Sequence, residues 1–75
     1  MRRAGTVVGS AQGLVVVRSG NDSYPDVGAT LVNEDLDEVG EVVEVFGPVE
    51  TPYVAVSPTE EVNPAVLLDD PVYER

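Results

Sequence analysis

The side chains that could carry acid–base chemistry in this chain are carboxylates and phenols. The sequence has fourteen aspartates and glutamates and three tyrosines, and it contains no histidine, lysine or cysteine. A carboxylate serves as a general acid or base at neutral pH when burial raises its pKa. The neighbouring acidic pairs instead lie in polar, turn-forming stretches; they are Asp35 with Asp37, Glu60 with Glu61, and Asp69 with Asp70. We interpret them as solvated surface groups and predict that the chain is not an enzyme.

Other chemistries are excluded by residue type or by spacing. Nucleophilic triads and nitrogen or sulfur metal sites need imidazole or thiolate groups, which this composition lacks. The acidic segment 33–38 has neither the ligand spacing nor the mid-loop glycine of a calcium loop. A phosphate-binding loop needs glycines that open a helix, whereas Gly5, Gly9 and Gly13 are spaced among predicted strands. We predict no catalytic residue, no metal site and no cofactor.

The charge of the chain restricts its partners. The formal net charge is −10 and the pI is near 4.1, with Arg2, Arg3, Arg18 and Arg75 as the only cations. Because nucleic-acid binding relies on basic patches, direct binding to a phosphate backbone is not expected. Many carboxylates without lysine are typical of adaptation to molar salt, where the screening length falls to about 3 Å. We predict a halophilic source; an ordinary acidic surface is the alternative.

Seventeen valines, with frequent glycine and proline, favour short strands joined by tight turns. Short strands are predicted at Thr6–Val8, Leu14–Val17 and Ala29–Val32, on both sides of a central loop, and at Ala65–Leu68, with Val72–Tyr73 as a candidate for one more. A turn is expected at Ser10–Gly13 and a loop at Ser19–Asp26. The predicted fold is all-β, a small six-stranded barrel that is closed or nearly closed.

The length and the termini complete this outline. At 75 residues the chain fits one domain, with a core over about residues 5–73 and an expected stability of about 3–5 kcal/mol. No apolar run approaches the ~18 residues of a membrane span, and the first residues lose their apolar character too soon for a secretory signal. We therefore expect a cytoplasmic protein.

The central segment 39–58 is the most informative, because two valine-rich runs flank a loop with Pro48 and Pro52. Proline fixes its own φ and has no amide hydrogen, so this loop has few conformations to lose. Alternation places Val54 and Val56 on the core face. It leaves an apolar patch outside, formed by Phe46, Val49 and Tyr53 and rimmed by the two prolines. An exposed patch of this kind is typical of an interaction surface. The alternative is that Phe46 caps the bottom of the barrel and Tyr53 covers a neighbouring strand.

The first run of this segment predicts a β-bulge. Glu41 and Glu44 lie an odd number of residues apart, so strict alternation would turn one carboxylate inward. A bulge at residues 42–43, with both valines turned toward the core, allows both glutamates to reach water. Val45 would then join the core and Phe46 would point outward. A strand that begins only at Val42 is the alternative.

The same segment resembles the central motif of the glycine/arginine-rich accessory subunit of box H/ACA ribonucleoproteins. The motif runs as Val39-Gly40, then Glu44-Val45-Phe46-Gly47-Pro48-Val49, then Pro52-Tyr53-Val54. Weaker similarity extends to Gly5, Val7, residues 14–17 and residues 25–28, so the resemblance covers about 50 to 60 residues, a large part of one domain. Glu41, Glu44 and Glu50 depart from the family pattern, which often has basic or neutral residues there.

The resemblance implies a fold, a function and a partner. The family fold is a six-stranded barrel akin to domains of translation elongation factors and certain reductases. The family member is a non-catalytic subunit, here in its archaeal form without arginine-glycine tails. It docks on the pseudouridine synthase subunit and steers a mobile loop of that enzyme. It thereby promotes loading of substrate RNA and release of product in rRNA pseudouridylation and ribosome biogenesis, while it meets guide and substrate RNA only indirectly.

The docking surface is predicted at one loop and its flanks. Its residues are Phe46, Gly47, Pro48, Val49, Pro52 and Tyr53, with Val42 or Ala55 as outer neighbours. Two prolines would lower the ordering cost of association. Two alternatives stay open: an acidic barrel module of a translation factor or electron-transfer complex, and an enzyme subunit with a carboxylate-bound divalent ion.

Overall fold

The computed structural model describes residues 2–20 and 24–75, and within them six strands form a closed antiparallel barrel. The strands are β1 (Arg2–Ala11), β2 (Leu14–Arg18), β3 (Thr30–Val32), β4 (Glu38–Phe46), β5 (Tyr53–Pro58) and β6 (Pro71–Glu74). Their order around the barrel is β1-β2-β5-β4-β3-β6, with β6 paired to β1. The predicted all-β class and six-stranded closed barrel are confirmed. In the described residues no helix has the length and apolar character of a membrane span.

Valines from five of the strands and Leu31 from β3 fill the barrel. The most deeply buried members are Val7, Val15, Val17, Leu31, Val39, Val42, Val54, Val56 and Val72. On β2, apolar on both faces, Val15 and Val17 point into this core while Leu14 and Val16 are half-buried. On β5, Val54 and Val56 are buried as the alternation predicted. Since β-branched side chains suit a pleated, buried surface, the valine content and the barrel agree.

The first strand is longer than predicted, because two irregularities let it pair on both sides. β1 runs from Arg2 to Ala11 rather than over residues 6–8, and its register shifts between Arg3 and Gly5 and again between Val7 and Gly9. Bulges bend a strand and increase its twist, so β1 pairs with β6 along its first half and with β2 along its second. The turn to β2 shortens to residues 12–13.

The predicted strand over residues 65–68 is wrong. Pro64–Leu67 forms a short 3-10 helix, and the Asn63 side chain accepts a hydrogen bond from the Ala65 amide at 3.1 Å. An asparagine cap followed by proline at the first helical position is a helix-start signal that outweighs the apolar run behind it. Of that run, Leu67 enters the core while Val66 and Leu68 stay exposed.

The predicted bulge in β4 is confirmed, but one of its side chains points the other way. The register against β5 shifts between Val42 and Glu44, and both Glu41 and Glu44 are exposed. Val42 is buried, whereas Val43 is 43% exposed. Val43 is the extra residue of the bulge and has no partner on β5, so its side chain is not required to point toward the core.

Two further predictions concern the segment between β2 and β4. The strand predicted over residues 29–32 begins one residue later, at Thr30. The predicted loop 19–26 has irregular structure at Ser19, Gly20 and residues 24–26, while its residues 21–23 lie outside the described residues. In the acidic segment 33–38 between β3 and β4, which we call the acidic connector, Leu36 is 58% exposed and contributes no burial. Hydrogen bonds from the Asp35 and Asp37 amides to the Asn33 side chain hold it instead, at 2.9 and 3.0 Å.

Candidate docking surface

The loop between β4 and β5 is closed at its base by two aromatic rings. Phe46 and Tyr53 are the last paired residues of the two strands. Their rings stack with centroids 5.7 Å apart and an interplanar angle of 24°. Offset aromatic pairs contribute about 0.5–1.5 kcal/mol beyond their area burial. The stack therefore stiffens the end of the hairpin while it leaves Phe46 41% exposed, as the predicted outward orientation required.

The chain turns over the Tyr53 ring at Gly47, whose φ is +91°. A β-carbon at this position would lie 2.9 Å from Cδ2 of Tyr53. Glycine thus meets a conformational and a steric demand at the same position. The following Pro48 is exposed, and Val49 is 88% exposed, the most exposed of the large apolar side chains in the described residues.

Three residues of the predicted surface and its surroundings lie inward. Pro52 is buried, and its carbonyl oxygen accepts a hydrogen bond from the Ser19 amide at 3.0 Å, so this proline supports the loop from beneath. The predicted outer neighbours Val42 and Ala55 are both buried. For Val42 the inward side of the bulge decides this; Ala55 is covered although it alternates with the core-facing valines. We call the exposed remainder, residues 46–49 with the half-buried Tyr53, the loop surface.

Charged groups surround the loop surface without entering it. Glu44 and Glu50 are exposed on either side of it, and Arg18 is paired with Tyr53 in the β2–β5 register. An apolar centre with a charged rim is the usual anatomy of a protein interface. This arrangement can bind a partner.

Two concave regions were not found from the sequence. The larger, with a volume of about 710 Å³, is lined by Asn33, Asp37, Glu38, Val39, Thr59, Glu61, Val62, Asn63, Val66 and Leu67. The smaller, of about 350 Å³, is lined by Arg3, Gly5, Thr6, Arg18 and Gly20. Each joins residues that are distant along the chain. The apolar residues that follow Asn63 could have indicated the larger concavity, but the prediction placed residues 65–68 in a strand.

The charges at the arginine-lined concavity are only partly engaged. Arg3 Nη2 donates a hydrogen bond to Thr6 Oγ1 at 2.9 Å, and nearby Arg2 forms an ion pair with Glu74 at 3.0 Å. A β-carbon on Gly5 would overlap the Arg18 carbonyl oxygen, so glycine is needed where these two strands approach. Within residues 2–20 and 24–75, no three acidic side chains are placed to hold a metal ion.

Comparison with known proteins gives a consistent family. A family model described as the Gar1/Naf1 RNA-binding region matches residues 1–74. An uncharacterized protein of Methanothermobacter thermautotrophicus is 33% identical over 55 residues, which make up 73% of this chain and 58% of that protein. The chain therefore spans less than two thirds of that relative. The solved structure of the Gar1 domain of Naf1 matches with a TM-score of 0.74 at 15% identity, covering 99% of this chain and 81% of the other, and this likeness shows the fold.

Proposed function

We propose a function from one premise: the chain belongs to the Gar1/Naf1 RNA-binding region family, whose model matches nearly all of it. This match relates the chain to Gar1-like proteins, which are associated with H/ACA ribonucleoproteins. Our proposal is that the chain is a non-catalytic subunit of such a particle. It docks on the pseudouridine synthase subunit and promotes substrate loading and product release in rRNA pseudouridylation.

The observation that carries this proposal is the exposure of apolar groups on a rigid loop. Phe46 is held by its stack on Tyr53, and Val49 projects into solvent from a turn in which Gly47 has a positive φ and the φ of Pro48 is fixed by its ring. Binding energy at interfaces is concentrated in a few aromatic or apolar anchors in preorganised surroundings. The loop surface has those properties, and a free monomer gains no stability from exposing it.

Docking acts on the enzyme through a population shift. A ligand moves an equilibrium between two conformations only when it binds one of them more tightly. In this proposal the loop surface contacts one position of the mobile synthase loop better than another. The chain contributes binding energy and no chemical group to the reaction.

Phe46→Ala tests the docking surface. Truncating a central aromatic anchor typically costs about 2 kcal/mol of binding energy, about a thirtyfold loss of affinity for the synthase subunit. Titration calorimetry with the purified synthase subunit measures it. Val43→Ser is the matched control, since Val43 has nearly the same exposed fraction on the same strand but lies away from the loop. Equal affinities of F46A and wild type would refute the proposed surface.

The consequence for the enzyme needs its own measurement. Multiple-turnover pseudouridylation by the assembled particle is expected to be faster with the chain present, while a single turnover with preloaded substrate changes less. Equal multiple-turnover rates with and without the chain would remove the accessory role. A stable complex with a translation factor or an electron-transfer protein instead would favour the alternative module. Saturable calcium binding would favour the divalent-ion subunit.

A second candidate function is direct RNA contact, which the family description and the arginine-lined concavity both favour. Arg3 and Arg18 lie on one concavity there, although the net charge of −10 opposes phosphate binding. Arg18→Gln should lower affinity for a guide RNA and reduce the slope of log affinity against log salt by about one if Arg18 contacts a phosphate. An unchanged slope supports indirect contact alone.

Adaptation to molar salt is proposed from the charge. Repulsion among uncompensated carboxylates is screened within about 10 Å at 0.1 M salt and about 3 Å at 1 M. The urea unfolding midpoint of the chain should therefore rise as sodium chloride is raised to molar concentration. A midpoint that does not change would leave an ordinary acidic surface as the explanation.

A further inference from the structure

The larger concavity lies at the end of the β4–β5 hairpin opposite the loop surface. Val39 near the start of β4 and Thr59 just after β5 line it, and the Thr59 amide donates a hydrogen bond to the Val39 carbonyl at 3.0 Å. Its other walls come from the acidic connector before β4 and from the 3-10 helix. We call this concavity, with its ten lining residues given above, the acidic groove.

The floor of the acidic groove is apolar. Val39 and Leu67 are buried core residues, and Val62 is half-buried against the same core. At its lip, Val66 is 72% exposed on the 3-10 helix. Exposing an apolar lip above an apolar floor gives an isolated chain no stability. The groove therefore offers a place for an apolar side chain from another molecule.

The lining is negatively charged without compensation. Asp37, Glu38 and Glu61 all contribute to it, and no arginine does. Across the described parts of the chain, the one ion pair joins Arg2 to Glu74, which are not among the lining residues. Those same parts contain no cluster of three or more acidic side chains placed to hold a metal ion. The lining thus carries three negative charges with no positive charge of this chain among its residues.

We propose that the acidic groove binds a basic segment of a partner protein, in which an apolar side chain is flanked by arginine or lysine. The apolar side chain would occupy the floor, and the flanking cations would face the carboxylates. A volume of about 710 Å³ is enough to accommodate side chains from such a segment. Because the barrel is closed, strand addition to a free sheet edge is not available, and side-chain contacts must supply the recognition.

This site is independent of the loop surface. Val39 and Phe46 are seven positions apart on β4, which corresponds to about 23 Å at ~3.3 Å per residue. A partner segment in the acidic groove would therefore leave the loop surface free. Failure of either site in an experiment says nothing against the other.

Two labelled synthetic peptides test the apolar floor. One carries a central leucine flanked on both sides by arginines, and in the other serine replaces the leucine. Fluorescence anisotropy with the full chain should show about tenfold tighter binding of the leucine peptide, because the serine peptide loses one buried aliphatic side chain. Equal affinities would overturn the proposal, since attraction to the overall charge alone would then explain binding.

Paired charge variants test the location. Asp37→Asn with Glu61→Gln should weaken the leucine peptide about fivefold, with a smaller difference at molar salt because these contacts are screened. The control is Glu44→Gln with Glu50→Gln, which removes the same number of charges at the opposite end of the hairpin and should change affinity less than twofold. Equal weakening by both double variants would overturn the assignment to the groove.

Single valine variants separate the two surfaces. Val66→Ser should weaken binding of the leucine peptide and leave synthase binding unchanged. Val49→Ser should weaken synthase binding and leave peptide binding unchanged. Both side chains are largely exposed, so neither change should unfold the barrel. Amide chemical-shift mapping with the leucine peptide should mark residues 37–39 and 59–67. Chemical-shift changes confined to residues 46–53 would overturn the proposal. So would a single-stranded RNA oligonucleotide that shifts the same groove residues and binds more tightly than the leucine peptide.

Discussion

The two ends of the β4–β5 hairpin differ in how they are built and in what they offer a partner. At the loop end, residues adjacent in sequence form a convex apolar surface over one stacked aromatic pair. At the open end, residues from the acidic connector and the 3-10 helix surround a concave and acidic one. The loop end depends on local turn chemistry, whereas the open end exists only because the barrel has closed. One pair of strands can therefore present two separate and chemically opposite surfaces.

A glycine near each end shows the same contrast. A β-carbon on Gly40 would overlap the Ser57 carbonyl oxygen and lie 2.8 Å from its carbonyl carbon. A β-carbon on Gly47 would meet a side chain, the Tyr53 ring, which can move. Gly40 is paired with β3 on one side and with β5 on the other, so its backbone cannot shift without breaking these ladders. A side chain should therefore be tolerated less well at Gly40 than at Gly47.

The largest effect is expected for Gly40→Ala. Overpacking against paired backbone should lower the free energy of unfolding by about 3 kcal/mol, close to the whole stability expected of a domain this small. Urea unfolding followed by far-ultraviolet circular dichroism measures it. Gly9→Ala is the control, because Gly9 also lies in a strand and its β-carbon would meet nothing within 4 Å. A G40A protein as stable as wild type would contradict the rigid open end.

A smaller effect is expected for Gly47→Ala. A non-glycine residue at positive φ costs about 1–2 kcal/mol, and the added methyl group should also displace the Tyr53 ring and weaken synthase binding. Gly28→Ala separates these contributions, since Gly28 has a φ of +97° and no atom within 4 Å of the added carbon. We expect similar losses of stability from both changes but weaker docking only from G47A. Equal docking by both variants would show that the ring position is unimportant.

The smallest effect is expected for Asn63→Ala at the acidic groove. Loss of the cap to the Ala65 amide should cost about 0.5–1 kcal/mol and increase amide hydrogen exchange over residues 65–67. Asn63→Ser, which retains an acceptor oxygen, should restore protection. Amide chemical shifts of residues 46–53 should stay unchanged in both variants if the two ends of the hairpin are independent. A change there would show that they are coupled.

Predictions from the sequence succeeded where a residue acts through its own backbone or its nearest neighbours. The alternation of Val54 and Val56, the bulge between Glu41 and Glu44, and the loop at the hairpin end follow from period-two patterning and proline stereochemistry. The motif from Val39 to Val54 indicated a Gar1-like protein associated with H/ACA particles, and the family match confirms this relationship. The single-domain organisation over 1–75 and the docking residues stay predictions.

Predictions failed where the burial of a residue depends on distant segments. The strand predicted over residues 65–68 is an exception, because the failure there is local: the cap at Asn63, followed by Pro64, begins a 3-10 helix. The predicted bulge turned both Val42 and Val43 inward, yet Val43 is 43% exposed, and Ala55, placed on the outer face by alternation, is buried. Propensity describes what a segment prefers in isolation, and tertiary contacts override it.

By itself, the sequence determined the class of the fold, the placement of two φ-fixing prolines in the 46–53 loop and the absence of histidine, cysteine and lysine side chains, because these follow from residue type and local stereochemistry. Closure of the barrel decided which apolar groups remain exposed, turned Pro52 into a support and assembled the acidic groove from separated segments. Those features depend on long-range pairing and on the packing of side chains that are remote along the chain. No local pattern specifies them.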